Sequence, residues 1–170
     1  SIMEKFQQYI ETKKPFAVAY ADLDKFKIYN DKYGFEKGDE VIRETARLIL
    51  EIVRKHAGDE AFVGHIGGDD FVFITDNYLI DTICKEIIRC FDEKIPSFYS
   101  AEDYQTGFII GQDRQGQEAK AGLLSISIGI VSNEYQNITH VAQIAEIGAE
   151  LKKYAKTFGK SNFVRDKRKA

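Results

Sequence analysis

Three aspartates stand where chains commonly build acidic centres. Asp22 ends the apolar run Phe16-Ala-Val-Ala-Tyr-Ala21, while Asp69 and Asp70 follow Gly67-Gly68 between two β-rich runs. If the first run is a strand lying beside a hairpin made by the other two, the three carboxylates meet at one edge of a sheet. Convergent carboxylates repel one another unless a cation lies between them. Their hard oxygen atoms suit Mg²⁺, or Mn²⁺ in its place, and such an ion shares its shell with substrate phosphates. The chemistry that fits is phosphoryl or nucleotidyl transfer assisted by one or two metals. Taken one at a time, the same residues are ordinary turn aspartates. Asp24 reads as the cap of the following helix rather than as a ligand.

The elements that must position these groups follow from periodicity. Residues 2–13 carry apolar side chains at helical spacing ahead of Pro15. The run 16–21 predicts a buried strand, 25–32 a short helix ending near Gly34, and 39–56 a long amphipathic helix that begins after Gly38. The runs 61–66 and 71–75 predict a hairpin around the Gly-Gly turn. A helix over 78–93 follows, with Cys84 and Cys90 as inert packing residues. Residues 95–121 are less regular: 104–111 looks strand-like, and the turn signal Asp113-Arg-Gln-Gly116 makes a hairpin leading into a strand over 123–131. A helix capped by Thr139 runs to about 158, and 162–165 is a last strand before a frayed basic tail, 166–170. Gly148 falls on the inward face of that helix, a cost in propensity that close packing on the sheet would explain. The order of elements predicts an α/β (α+β) fold, one compact domain with a mostly antiparallel central sheet flanked by helices.

Composition narrows the function classes. The chain has 170 residues, 44% hydrophobic and 30% charged, with a formal net charge of −3. That balance argues against a basic face for nucleic acid. Two cysteines give no disulfide framework and no secretory leader is recognised, so a cytoplasmic setting is expected. The longest apolar runs fall short of the ~20 residues that cross a bilayer, so no membrane contact is expected of this domain.

Several spaced motifs carry a more specific signal. Asp22-Leu-Asp-Lys-Phe-Lys27, Asn30-Asp-Lys-Tyr-Gly34, Gly38-Asp-Glu-Val41 and Gly67-Gly-Asp-Asp-Phe71, in that order, closely resemble the GGDEF family of diguanylate cyclases. Ser127-Ile-Gly129 and Lys156-Thr-Phe-Gly-Lys160-Ser-Asn162 match as well, so the resemblance runs from about Phe16 to Val164. It implies a fold like the palm of nucleotidyl cyclases and polymerases, with a ferredoxin-like core. It also implies condensation of two GTP into cyclic di-GMP and pyrophosphate, between two copies of the domain that each hold one GTP. Carried over by position, Asp22, Asp69 and the carbonyl of Leu23 hold Mg²⁺, and Asp70 beside them serves metal binding and activity. Lys27, Lys156 and Lys160 face phosphates, helped by backbone N–H groups of the turn Lys25–Phe26, while Asn30 and Asp39 read guanine. A sensor or receiver domain is implied elsewhere in the parent protein. Without the resemblance, Lys156 and Lys160 would read as a solvated helix end and Asn30 as a cap.

The chain also departs from the family pattern. Asp70 stands where Glu is usual, withdrawing the carboxylate by roughly 1.5 Å. His65 takes the place of a common Arg, and Lys160 replaces another, giving up bidentate phosphate geometry. The opening Asp-x-Leu-Thr segment is absent, and residues 95–121 exceed the family norm, as an extended hairpin insertion expected to shape a partner or regulatory surface. The positions of the family's product-binding Arg-x-x-Asp hold Gly58 and Ala61. Two expectations therefore stand side by side: a diguanylate cyclase output domain, or a degenerate relative that binds GTP or a protein partner without synthesis.

Overall fold

The strand that begins at Phe16 is the axis of the molecule, seen in a computed structural model that describes residues 1–59 and 61–168. This strand, β1 (Phe16–Asp24), pairs on one side with β3 (Asp70–Asp76) and on the other with β6 (Ser125–Ser132), both antiparallel. The outer strands are β2 (Phe62–His65), antiparallel to β3, and β7 (Asn162–Arg165), parallel to β6. The resulting order β2-β3-β1-β6-β7 bears out the mostly antiparallel sheet read from the sequence.

Alternation along β1 decides what each face meets. Ala17, Ala19, Ala21 and Leu23 point into the larger core, against helices α3 (Phe35–Ala57) and α4 (Ile80–Phe98). Phe16 and Val18 point the other way, onto α1 (Ile2–Thr12) and α6 (Val141–Lys156), where Phe6, Ile144 and Leu151 close the second core. No helix among the described residues is long and apolar enough to cross a membrane.

Several element boundaries differ from the sequence reading, each for a local reason. Asp24 is the last residue of β1 and does not cap the next helix, α2 (Phe26–Tyr33); Lys25 occupies the capping position with a left-handed φ of 66°. α3 starts at Phe35, because Gly34 at φ 90° already separates it from α2, and Gly38 lies inside the helix. A Cβ on Gly38 would come 1.7 Å from Oδ1 of Asn30, so this glycine is required by close approach and not by a helix start. α4 runs on through Pro96, whose missing N–H gives up one intrahelical hydrogen bond in a last turn that nevertheless buries Ile95 and Phe98. α6 is capped by His140 and not Thr139, with Gln143 Oε1 accepting from the N–H groups of both residues. The basic tail is fastened as far as Arg168: Asp166 is buried and accepts from Arg168 Nε at 2.7 Å. Lys169 and Ala170 lie outside the described residues.

The segment 95–121 is not a single extended hairpin. After α4 ends, α5 (Ala101–Thr106) forms because Ser100 Oγ accepts from the Asp103 N–H, and Gly107 at φ 83° stops it. Only then do β4 (Phe108–Gln112) and β5 (Glu118–Gly122) make a separate two-stranded ribbon. The ribbon leans on α2, where a Cβ on Gly111 would meet Ile28 Cγ2 at 2.7 Å. The Tyr29 hydroxyl also donates to the Phe98 carbonyl at 2.7 Å, so the same stretch buttresses α2 from two sides.

Candidate active site

The pairing register brings the acidic residues together. Asp22 lies opposite Asp70 on β3 and opposite Ser127 on β6, so the even positions of β1 and β3 share the α6 face. Asp69 is delivered by the β2–β3 turn, in which Gly67 and Gly68 take φ of 52° and 47°, a conformation that favours glycine. The turn is held by Ile66 N–H donating to the Asp70 carbonyl at 2.8 Å and by His65, whose Nε2 meets the Gly68 carbonyl. Leu23 N–H donates to the Asp69 carbonyl at 3.3 Å and ties the turn to the end of β1. One oxygen from each of Asp22, Asp69 and Asp70 lies within 4.8 Å of the others. Hard donors crowded in this way fit a divalent cation such as Mg²⁺.

α6 is pressed onto this end of the sheet by two glycines. A Cβ on Gly148 would lie 2.4 Å from the Tyr20 ring, and one on Gly129 of β6 would lie 2.8 Å from Leu151 Cβ and from Lys152 N. The close fit expected for Gly148 is therefore present. It brings two ammonium groups over the acidic cluster. Lys156 Nζ lies 2.8 Å from Asp22 and 2.9 Å from Asp24, and Lys152 Nζ lies 3.1 Å from Asp70 and 3.8 Å from Asp22. Asp24, expected to be a cap, is buried and also accepts from the hydroxyls of Ser125 and Ser127 at 2.6 and 2.8 Å. It anchors Lys156.

Burial raises the Asp22 carboxyl above its ordinary range; Lys156 opposes the rise and Asp69 adds to it. Burial likewise raises Asp70, with Lys152 opposing and Asp22 adding. For Lys156, burial works against the charge, yet hydrogen bonds to Asp22 and Asp24 leave its affinity for the proton raised.

An open cavity of about 700 Å³ begins at these carboxylates. Of the residues expected to form a site, Asp22, Leu23, Lys25, Phe26, Lys27, Asn30, Asp69, Asp70 and Lys156 all line it. The start of α2 is in its wall, where the first N–H groups of a helix have no intrahelical partner. Among the described residues, Asn30 Oδ1 is buried without a hydrogen-bond partner. Lys27 is half-exposed and pairs with Asp31 at 3.0 Å. Two expected residues do not line the cavity. Asp39 is exposed on α3, and Lys160 is exposed beyond α6, where its carbonyl accepts from Asn162 Nδ2 at 2.8 Å.

Three residues of the site escaped the sequence reading. Lys152 could have been found from its i, i+4 spacing to Lys156, which puts both on one helix face. Asp113 and Arg114, from the turn between β4 and β5, also line the cavity, although they are far in sequence from every motif. Only the ribbon's seat on α2 brings them there.

Known proteins with the same features place this geometry in context. The family model described as "Diguanylate cyclase, GGDEF domain" matches residues 1–158. A diguanylate cyclase of Vibrio cholerae is 33% identical over 70 residues, 41% of this chain and 21% of that protein. Diguanylate cyclase DgcS of Shewanella oneidensis is 39% identical over 69 residues, 39% of this chain and 22% of that protein. The stretches that match span about a fifth of the length of these curated relatives. Among solved structures, the active GGEEF domain of a diguanylate cyclase from Vibrio cholerae superposes with a TM-score of 0.71 at 21% identity, covering 98% of this chain and 92% of that one. Diguanylate cyclase SiaD from Pseudomonas aeruginosa, in complex with its activator SiaC, gives 0.68 at 17% identity, covering 97% and 56%. At these identities the structural likeness speaks for the fold.

Proposed function

The chain belongs to the GGDEF family of diguanylate cyclases, and from that membership we propose that residues 1–170 form one cyclase domain that condenses two GTP into cyclic di-GMP and pyrophosphate. The observation that carries the reading is the convergence of Asp22, Asp69 and Asp70 in the lining of a cavity that the start of α2 also lines. Asp22 and Asp69 hold Mg²⁺ or Mn²⁺, with the Leu23 carbonyl beside them and Asp70 adjacent. A divalent ion bound there supplies charge neutralisation for the triphosphate and favours the alkoxide form of an attacking ribose hydroxyl. The chain's own residues do the rest by positioning. Lys156 and Lys27 hold phosphate oxygens, and the N–H groups at the Lys25–Phe26 turn face them. Asn30, a lining residue whose buried Oδ1 lies against Gly38 without a hydrogen-bond partner among the described residues, is the residue we assign to selecting a base that carries N–H donors, as guanine does.

Each domain holds one GTP, so turnover requires a second copy presenting its own nucleotide. A cytoplasmic setting and a sensor or receiver domain in the parent protein belong to the same reading. Incubating the full-length protein with GTP and Mg²⁺ and assaying cyclic di-GMP tests it: product formation lost in Asp69→Asn supports the cyclase.

A second reading is a domain that binds GTP without synthesis. It is favoured by Asp70 being already engaged by Lys152 and by Asp39 standing outside the cavity. Mg²⁺-dependent GTP binding with no pyrophosphate released, even when the protein is forced to dimerise, selects it.

A further inference from the structure

Two ammonium groups reach the acidic cluster, and the family's pattern gives a role to only one of them, Lys156. Lys152, one helical turn earlier on α6, lies with its side chain 19% exposed between Asp70 and Asp22, at 3.1 and 3.8 Å. Its sequence neighbour Lys153 is exposed. A lysine is rarely drawn this far out of water unless carboxylates meet it.

Charge arithmetic shows what its presence does. Asp22, Asp24, Asp69 and Asp70 contribute four negative charges when ionised, and Lys152 and Lys156 return two positive ones. The balance of two negative charges matches one divalent cation. Without Lys152 the balance is three, and Asp70 has no ammonium within 4.0 Å among the described residues, while Asp22 keeps Lys156. The geometry agrees: Lys156 is shared with Asp24 at the sheet end of Asp22, Lys152 covers the flank toward Asp70, and Asp69 has no ammonium within 4.0 Å among the described residues.

We propose that Lys152 is a built-in cation. It takes the place of a second divalent ion on the Asp70–Asp22 flank, so that the site loads a single ion at Asp22 and Asp69. The inference rests on the metal site of the proposed function and adds to it the number of ions and the residue that sets it. It also gives a physical sense to aspartate at position 70. The shorter carboxylate meets an ammonium delivered by α6 and need not reach an ion of its own.

The test counts ions and needs no turnover. Mn²⁺ is titrated into the nucleotide-free full-length protein, and free Mn²⁺ is read by electron paramagnetic resonance. Wild type and the control Lys153→Met should each bind one Mn²⁺ at this site. Lys152→Met and Lys152→Gln should each bind two, with circular dichroism confirming that both are folded. Lys152→Gln keeps a polar side chain there should the methionine variant fail to fold. An unchanged count on removing Lys152, or a count of two in wild type, overturns the proposal. A wild type that binds no Mn²⁺ overturns the metal site itself, a result distinct from either.

Discussion

β1 has one side that changes little and one side that changes completely along its length. Its odd positions, Ala17, Ala19, Ala21 and Leu23, stay apolar from end to end and meet α3 and α4. Its even positions begin apolar with Phe16 and Val18, pass through Tyr20 against Gly148, and end in Asp22 and Asp24 under Lys152 and Lys156. The contrast separates two tasks. Hydrophobic burial on the odd side fixes where the strand lies. The even side can then carry charge at its end, because the fold no longer depends on apolar contact there.

The comparison breaks most readily on the odd side. Ala19 is fully buried, and Ala19→Asp places an unpaired charge in the larger core. It should cost several kcal/mol and unfold the chain. Asp22→Asn at the other end of the same strand should leave the chain folded, with Lys156 still paired to Asp24. Thermal unfolding followed by circular dichroism compares the two variants directly.

The junction between the two regimes is the next place to press. Gly148→Ala puts a methyl group against the Tyr20 ring and should cost about 1–3 kcal/mol through overpacking. It should also weaken Mg²⁺-dependent GTP binding, since α6 carries Lys152 and Lys156. Stability and affinity falling together is the outcome expected if one helix serves both tasks. A loss of stability with unchanged affinity would separate them.

The charged end should reveal itself through pH. Asp22 and Asp70 are both raised above the ordinary 3.8, so the folded chain holds protons that the unfolded chain has already released. Their contribution to stability is therefore full below 3.8 and is lost as pH rises through the raised values. Without divalent cations the melting temperature should fall by a few degrees across that window, and Asp22→Asn should flatten the fall. Added Mg²⁺ should offset it, because the ion binds the ionised carboxylates of the folded state.

The smallest effect on stability is expected at the cavity rim. Lys27 and Asp31 form an exposed pair, and breaking it with Lys27→Met should change stability by roughly 0.5 kcal/mol or less. If Lys27 faces phosphate, the same variant should weaken GTP binding severalfold in a calorimetric titration while leaving guanosine binding unchanged.

Much of this contrast is legible in the amino-acid sequence. The apolar run 16–21, the Gly-Gly turn and the long helical periods place β1, β2, β3 and α3, and local pattern is what determines such elements. Asp22, Asp69 and Asp70 converge as expected because antiparallel pairing fixes which residues share a face. Asp24 was misread because a cap and a buried strand end look alike in sequence, and only Ser125, Ser127 and Lys156, all from distant segments, distinguish them. The strand-like reading of 104–111 holds from Phe108 onward, but 104–106 belong to α5, whose only local signal is the Ser100–Asp103 cap. Asp113 and Arg114 reach the cavity through the packing of a ribbon on Ile28, a contact that no local pattern encodes.

The central claim is that the acidic end of the α6 face is a metal-dependent site for guanine nucleotides. Calorimetric titration of the protein with GTP tests it most directly, run in Mg²⁺ and in a chelator, with ATP as competitor and Asp69→Asn as the variant. One GTP should bind per chain in Mg²⁺ and in preference to ATP, with binding lost in chelator and in the variant. Equal GTP binding with and without the metal, or by Asp69→Asn as by wild type, would contradict the account.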